Sequence, residues 1–357
     1  MKFIHMADMH FDTAFTSIEN KKNLGNQRRL EQREAFKQTI EHIKQNSIPY
    51  LFISGDLYEH EYIKQTTIDY INKEFAEIPN TKIFISPGNH DPYLKNSYYE
   101  TTNWQPNVHI FKKDTLEKIE LEEANIYGAA FTDFTSKGID LSVEPLNKEK
   151  LNILVLHATL DGSDKQEMPY NPVTKKSLLE KGFDYVALGH IHKTNLKPEK
   201  PEKILYPGST ISLGFDELGE HGIIEGEITK QTYNVKFIKL DPRTFVENNL
   251  DISQIQSQEE LVETLNQMEF APNTENKIYL SGTRNFEIHL NEITKLTQNE
   301  QILKIKDNTQ IKYDLEKIKE ENNLKGIFVK KCLEKLESGF YEKDEIEKAI
   351  EIGLETL

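Results

Sequence analysis

Apolar residues in the first 240 positions come in short continuous runs rather than at helical spacing. The runs are Lys2–Ala7, Tyr50–Ser54, Lys82–Ser86, Asn125–Phe131, Asn152–His157 and Tyr185–Leu188. They are rich in β-branched and aromatic residues, which is the pattern of strands buried on both faces. Between the first two lies the polar segment Gln27–Asn46. Its apolar positions Leu30, Phe36, Ile40 and Ile43 fit one helix face. Strands alternating with helices predict an α/β core.

From Lys203 the character changes. Ile204–Tyr206, Gly222–Ile228 and Tyr233–Leu240 read as strands joined by short turns, forming an antiparallel second sheet or the far edge of the first. Asp241-Pro242 breaks the pattern, which places a domain boundary near residues 241–250. Residues 251–310 then read as a small α+β module, with helices over Glu259–Met268 and Phe286–Leu296 and strands over Lys277–Ser281 and Gln301–Lys306. Residues 312–357 read as helical. Leu324, Ile327, Phe328, Cys332, Leu333 and Leu336 share one face, and so do Ile346, Ala349, Ile350, Gly353 and Leu354. Gly339 stands between the two stretches as a stop.

Composition narrows the class. At 357 residues the chain is long enough for about two domains, and its single cysteine, Cys332, excludes an internal disulfide. That suits a reducing cytoplasm. No apolar run approaches the ~18 residues of a membrane helix, and Asp8 is out of place in an export signal. With 44 basic and 59 acidic residues the net charge is −15, so any contact with nucleic acid would rest on a local patch, a metal or a partner.

Five motifs carry the chemistry, each at or just past the end of a predicted strand: Asp8-Met9-His10, Gly55-Asp56, Gly88-Asn89-His90-Asp91, His157, and Gly189-His190-Ile191-His192. Strand ends are where α/β folds place ligands. Taken singly each is weak: a Gly-Asp after a strand is usually a turn, and a histidine after Leu-Val-Leu usually belongs to the core. But five of the eleven histidines fall in this one ordered set, and so many independent accidents are improbable. Carboxylates and imidazoles suit Mn, Fe or Zn. Residues i and i+2 share a strand face, so Asp8 with His10, and His190 with His192, could each turn to one ion. Asp56 could bridge two ions ~3.5–4 Å apart, which clamp a phosphate and generate hydroxide.

The ordered set resembles the calcineurin-like metallophosphoesterases and, within them, the SbcD-type DNA repair exonucleases, above all their YhaO-like branch. The phrases carrying the closer likeness are His5-Met6-Ala7-Asp8-Met9-His10-Phe11-Asp12, Ile53-Ser54-Gly55-Asp56-Leu57-Tyr58, Pro87-Gly88-Asn89-His90-Asp91-Pro92-Tyr93 and Tyr206-Pro207-Gly208-Ser209. The resemblance implies an α/β fold in which a β-sandwich is flanked by helices (α/β/β/α). Residues 1–240 would form the two-metal phosphoesterase domain, 251–310 a capping module, and 312–357 C-terminal helices that dock a partner. It implies two divalent ions, Mn first and Fe or Zn as alternatives. Asp8, His10 and His192 would hold one, Asn89, His157 and His190 the other, and Asp56 would bridge them. His90 would act on the scissile phosphate without binding metal, and Asp91 would orient it or cap the loop.

The implied activity is that of a cytoplasmic DNA phosphodiesterase, an exonuclease that could also cut as an endonuclease, working beside a large coiled-coil ATPase of the SbcC or YhaN kind. A homodimer is compatible with this. Some members carry a histidine three residues after the bridging aspartate. Here that position is Glu59, and His60 follows, either as a shifted substitute or as a surface residue. Lys21, Lys22, Arg28, Arg29 and Arg33 could touch DNA phosphates, or form a solvated helix face with Glu31 and Glu34. Tyr93, Tyr98, Tyr99 and Trp104 could pack the loop after His90 or stack on a base. Two rival readings remain: hydrolysis of a small phosphoester or pyrophosphate, and a non-catalytic scaffold for the ATPase.

Overall fold

The computed structural model describes residues 1–15, 24–141, 146–162, 170–197, 199 and 202–356. They form two compact units, Met1–Phe245 and Val246–Leu357. Lys21 and Lys22 lie outside the described residues.

The first unit is built on two mixed sheets. One runs in the order Tyr233–Lys239, Gly222–Ile228, Lys2–Met6, Tyr50–Ile53, Lys82–Ile85, Val108–Ile110. Its last four strands are parallel, and the first two are added antiparallel. The other sheet runs Ile204–Leu205, Tyr185–Gly189, Leu151–His157, Ala124–Gly128, Glu117–Glu120. Ile204–Leu205 therefore belongs to the second sheet, and the two strands after it to the edge of the first.

Period-2 alternation divides the side chains of the first sheet. Phe3, Phe52 and Phe84 turn inward and meet Phe111, Ile126, Ile153, Val155 and Tyr185 between the sheets. Ile4, Met6, Leu51, Ile53, Ile83 and Ile85 turn outward onto Phe36, Ile40 and Ile43 of the helix Leu24–Gln45 and onto Ile68, Ile71 and Phe75 of Gln65–Ala76. Leu154, Leu156, Val186 and Leu188 pack outward on the far side with Leu178 of Lys175–Lys181. The layers are helix, sheet, sheet, helix, as expected of a metallophosphoesterase. Both faces of each sheet are covered, which is why the strands read as continuous apolar runs. Each buried phenylalanine contributes about 1.5–3 kcal/mol.

The long helix departs from expectation in two ways. Leu30 is 68% exposed, and the buried face instead carries Leu24, Arg28, Gln32, Ala35, Phe36, Thr39, Ile40 and Ile43. Arg28 is fully buried. It donates a two-pronged pair to Asp241 (2.9 and 2.8 Å), one bond to Glu31 (2.6 Å) and one to the Ser212 carbonyl (2.7 Å). Its assignment as a DNA contact is therefore corrected: the guanidinium is sequestered from solvent and both its terminal nitrogens are engaged by its own fold.

In the second unit, Thr244–Asp251, Thr274–Ser281 and Ile302–Asp307 form one sheet. Ile278, Leu280 and Ile302 pack with Leu261 and Leu265 of the helix Gln258–Gln267 and Ile293 of Leu290–Leu296. The strand Thr244–Asp251 lies where the sequence shows only a break. The helices Leu324–Glu337 and Lys343–Thr356 pack through Val329, Cys332, Ile346, Ile350 and Leu354. Leu324 and Ile327 are more than half exposed and Ala349 is exposed, so the contact face centres on Val329 instead. Gly339, at φ 70°, supplies the left-handed residue after the first helix. Among the described residues, no helix is long and apolar enough to cross a membrane.

Candidate metal centre

The motifs converge because the backbone turns sharply as each strand ends. Asp8, His10 and Asp56 all sit at φ 50°, and His190 at φ 105°. Non-glycine residues seldom adopt such values, which cost about 1–3 kcal/mol each and gather at functional sites. The shared-strand-face argument for Asp8 with His10 is thereby corrected. Both lie beyond the strand Lys2–Met6, and left-handed turns, not pleat alternation, aim them inward. The turn is held by Gln32, whose amide donates to the carbonyls of Met9 and His10. Glycine is required where chains meet most closely. A Cβ on Gly88 would fall 2.2 Å from Asp56 Oδ1 and 2.9 Å from His157 Cγ.

Ligand atoms of Asp8, His10, Asp56 and His192 lie within 4.8 Å of one another. His10 Nε2 and His192 Nε2 approach to 3.1 Å. His10 Nδ1 is 2.7 Å from Glu59 Oε1, and His192 Nδ1 bonds Glu217 Oε1. A carboxylate only accepts, so both Nδ1 atoms donate, which turns the two Nε2 atoms towards each other. On the other side of Asp56, His157 Nδ1 donates to the Ser54 carbonyl at 2.9 Å. This points its Nε2 at two acceptors, Asn89 Oδ1 (3.0 Å) and Asp56 Oδ2 (3.3 Å). The same Asp56 oxygen is 3.7 Å from His10 Nε2, between the two sets. Imidazole nitrogens, an amide oxygen and carboxylates thus converge, and this donor set fits divalent metal. His190 donates its backbone N–H to the Asp8 carboxylate, and its ring lies 5.2 Å from that of His157 and 5.1 Å from Tyr170.

The charge states follow the same geometry. Burial alone would raise Asp56, but His157 and His10 outweigh it and hold the carboxyl well below its usual range. Burial would lower His157, yet Asp56 lifts it to about 9. His192 is likewise lifted to about 9, against burial, by Glu217 and Asp8. Burial and the charge on His157 push His190 down to about 3. His90 is opposed by burial but raised to about 9 by Glu59 and Asp56. It stands at the rim, half exposed, with Nδ1 2.9 Å from Glu59 Oε2 and its backbone N–H on Asp56 Oδ1.

Asp91 takes the loop role. It is fully buried and accepts from the backbone N–H of Gly88, Asp56 and Leu57 and from the Tyr99 hydroxyl. It has no direct bond to the His90 ring, so its catalytic assignment is corrected to that of a loop anchor. Tyr98, Tyr99 and Trp104 pack into the core rather than presenting faces for stacking. Arg29 and Arg33 are not brought to the cluster: Arg29 bonds Asn26, and Arg33 bonds Thr67 and lies over the Tyr70 ring. His60 lines a cleft next to His90. The sequence offered no sign of Glu217 and marked Glu59 only as a departure, because a carboxylate that backs an imidazole follows no fixed spacing.

Residues 1–194 match the calcineurin-like phosphoesterase family, and the chain belongs to that family. Among similar proteins is YhaO of Bacillus subtilis (strain 168), described as an uncharacterized metallophosphoesterase. It is 26% identical over 246 residues, covering 66% of this chain and 60% of YhaO. The D subunit of the nuclease SbcCD of Staphylococcus epidermidis is 26% identical over 279 residues, covering 68% of this chain and 70% of that protein.

Proposed function

We propose that this chain hydrolyses DNA phosphodiesters with two divalent ions, Mn foremost. The observation that carries the hydrolytic part is the convergence of ligand atoms, His10 with His192 and His157 with Asn89 and Asp56, in which each of the three imidazoles is held by a bond from its Nδ1. Asp8, His10 and His192 would hold one ion, Asn89, His157 and His190 the other, with Asp56 shared. Bound there, the ions supply Lewis acidity to the phosphoryl group and activate the attacking water. His90, aligned by Glu59, would stabilise phosphoryl charge or protonate the leaving oxygen.

The DNA part is supported by the likeness to the SbcCD subunit. It covers 68% of the chain, more than the 194 residues that match the phosphoesterase family. On this reading residues 251–310 help to place DNA. Exposed Leu324, Ile327 and Phe340 on the terminal segment dock a coiled-coil ATPase of the SbcC kind. The net charge of −15 favours the second reading, a small phosphoester as substrate.

The test is a Mn-dependent panel of single-stranded DNA, duplex DNA and bis-p-nitrophenyl phosphate, run with and without a co-purified ATPase. Turnover of the aryl ester without any cleavage of DNA would establish the second reading.

A further inference from the structure

The cleft beside the metal centre has a volume of about 330 Å³, at the small end of ligand sites. Asn89 and His90 form part of its wall, which ties it to the reacting phosphate. The rest is chiefly aromatic: His60, Tyr62, Phe134 and Tyr170. Tyr62 is 53% and Phe134 40% exposed, a large area of ring to leave in water. The rings are nonetheless placed by neighbours. Phe134 meets His60 edge-on at 5.7 Å, and Tyr170 rests on His190 at 5.1 Å. His60 Nδ1 is buried with no hydrogen-bond partner among the described residues, so the ring is not tied to the protein by that nitrogen.

The cleft lacks what a second phosphate would need. Among the described residues no lysine or arginine lines it, and its two carboxylates are Glu59, engaged by two imidazoles, and Glu61. It offers π faces and one imidazole edge beside the catalytic rim. That chemistry suits a flat, neutral ring carried next to a phosphodiester. We infer that the cleft receives an unpaired nucleobase flanking the scissile phosphate, stacked on Phe134 and Tyr62, with His60 facing its polar edge. The inference rests on the phosphodiesterase reading above and adds its substrate class: single-stranded or frayed DNA, since a paired base would first have to leave its stack.

The full chain with Mn is tested on a single-stranded oligonucleotide and on the same strand made abasic on either side of the cleaved bond. Stacking on one base corresponds to about 10–100-fold, so removing the base on one side lowers kcat/KM by that factor. Phe134→Ala lowers cleavage of the intact strand by a similar factor and makes the enzyme indifferent to the missing base. Phe134→Trp restores the discrimination, and Tyr62→Ala gives an independent reading from a second exposed ring. Without metal, an oligonucleotide carrying 2-aminopurine is quenched by the wild type and not by Phe134→Ala. Equal rates on intact and abasic strands, or unquenched 2-aminopurine, overturn the inference while leaving the phosphodiesterase reading in place. Hydrolysis of bis-p-nitrophenyl phosphate with no oligonucleotide cleaved overturns both.

Discussion

On the two-ion reading proposed above, Asp56 separates two half-sites made of the same kinds of residue but backed differently. On one side, His10 and His192 each donate Nδ1 to a carboxylate, Glu59 and Glu217. On the other, His157 donates to the neutral Ser54 carbonyl and faces the neutral amide of Asn89. A carboxylate behind an imidazole raises its basicity and adds negative charge close to the ion. The first half-site is therefore the more anionic and should bind its ion more tightly. The lesson is that ligand type fixes which metals fit, and the residues behind the ligands rank the two positions.

The largest effect is expected where the halves meet. Asp56→Asn should lower occupancy of both ions and abolish measurable phosphoesterase activity. Elemental analysis that still found two ions per chain would show that the halves do not share this carboxylate. Next comes His90→Gln, which should cost about 10²–10⁴ in rate with metal content unchanged. Loss of an ion in that variant would place His90 inside the coordination set. Glu217→Gln tests the asymmetry itself. Affinity for one ion should fall about 10–100-fold, bringing the two steps of a metal titration together. A titration with the same separation between steps would remove the basis for ranking the half-sites.

The smallest effect uses His5 as a reference. It is as buried as His157, but its bonds go to the Tyr185 and Ser54 hydroxyls. With no carboxylate beside it, burial pushes it down to about 3, whereas Asp56 holds His157 near 9. His5 stays neutral in the fold and takes a proton on unfolding below its ordinary value near 6.5. Its contribution is complete above that pH and is lost as pH falls towards 3, by about 1.4 kcal/mol per pH unit. His5→Gln should flatten the stability curve by that slope between pH 6 and 4, read by denaturant melts against the wild type. Parallel curves would mean that His5 is protonated in the folded protein.

These contrasts also mark how far the sequence could be read. The inner sandwich strands are legible because burial on both faces makes them nearly continuous apolar runs, whereas the edge strands Val108–Ile110 and Glu117–Glu120 are too short or too polar to stand out. The motif residues are legible because they stand at the strand ends in a fixed order. Glu59 and Glu217 are not, since each reaches its histidine through the folded chain and a lone glutamate in a loop resembles any solvated charge. Arg28 misled for the same reason: beside Glu31 it reads as a surface pair, and its partner Asp241 lies 213 positions away. Thr244–Asp251 was obscured by Glu247, Asn248 and Asn249, which interrupt its apolar residues. The phase of the helix Leu24–Gln45 was misjudged because one apolar residue, Leu30, faces water while Gln32 and Thr39 are inside.

The Arg28–Asp241 pair bears on where the catalytic half can be cut free. A chain ending at residue 240 keeps the strand Tyr233–Lys239 but takes Asp241 from the buried guanidinium and leaves it Glu31 alone. Breaking such a pair costs about 3–5 kcal/mol, out of about 5–15 for a whole domain. Asp241 also accepts the backbone N–H of Ser212, so the same cut loosens the loop whose Ser212 hydroxyl meets the Glu217 carbonyl and whose Leu213 N–H meets the Glu217 carboxylate. The smallest self-sufficient catalytic fragment should thus extend through Phe245, and a protease that trims past Asp241 should release a piece that melts early and has lost the backing of His192.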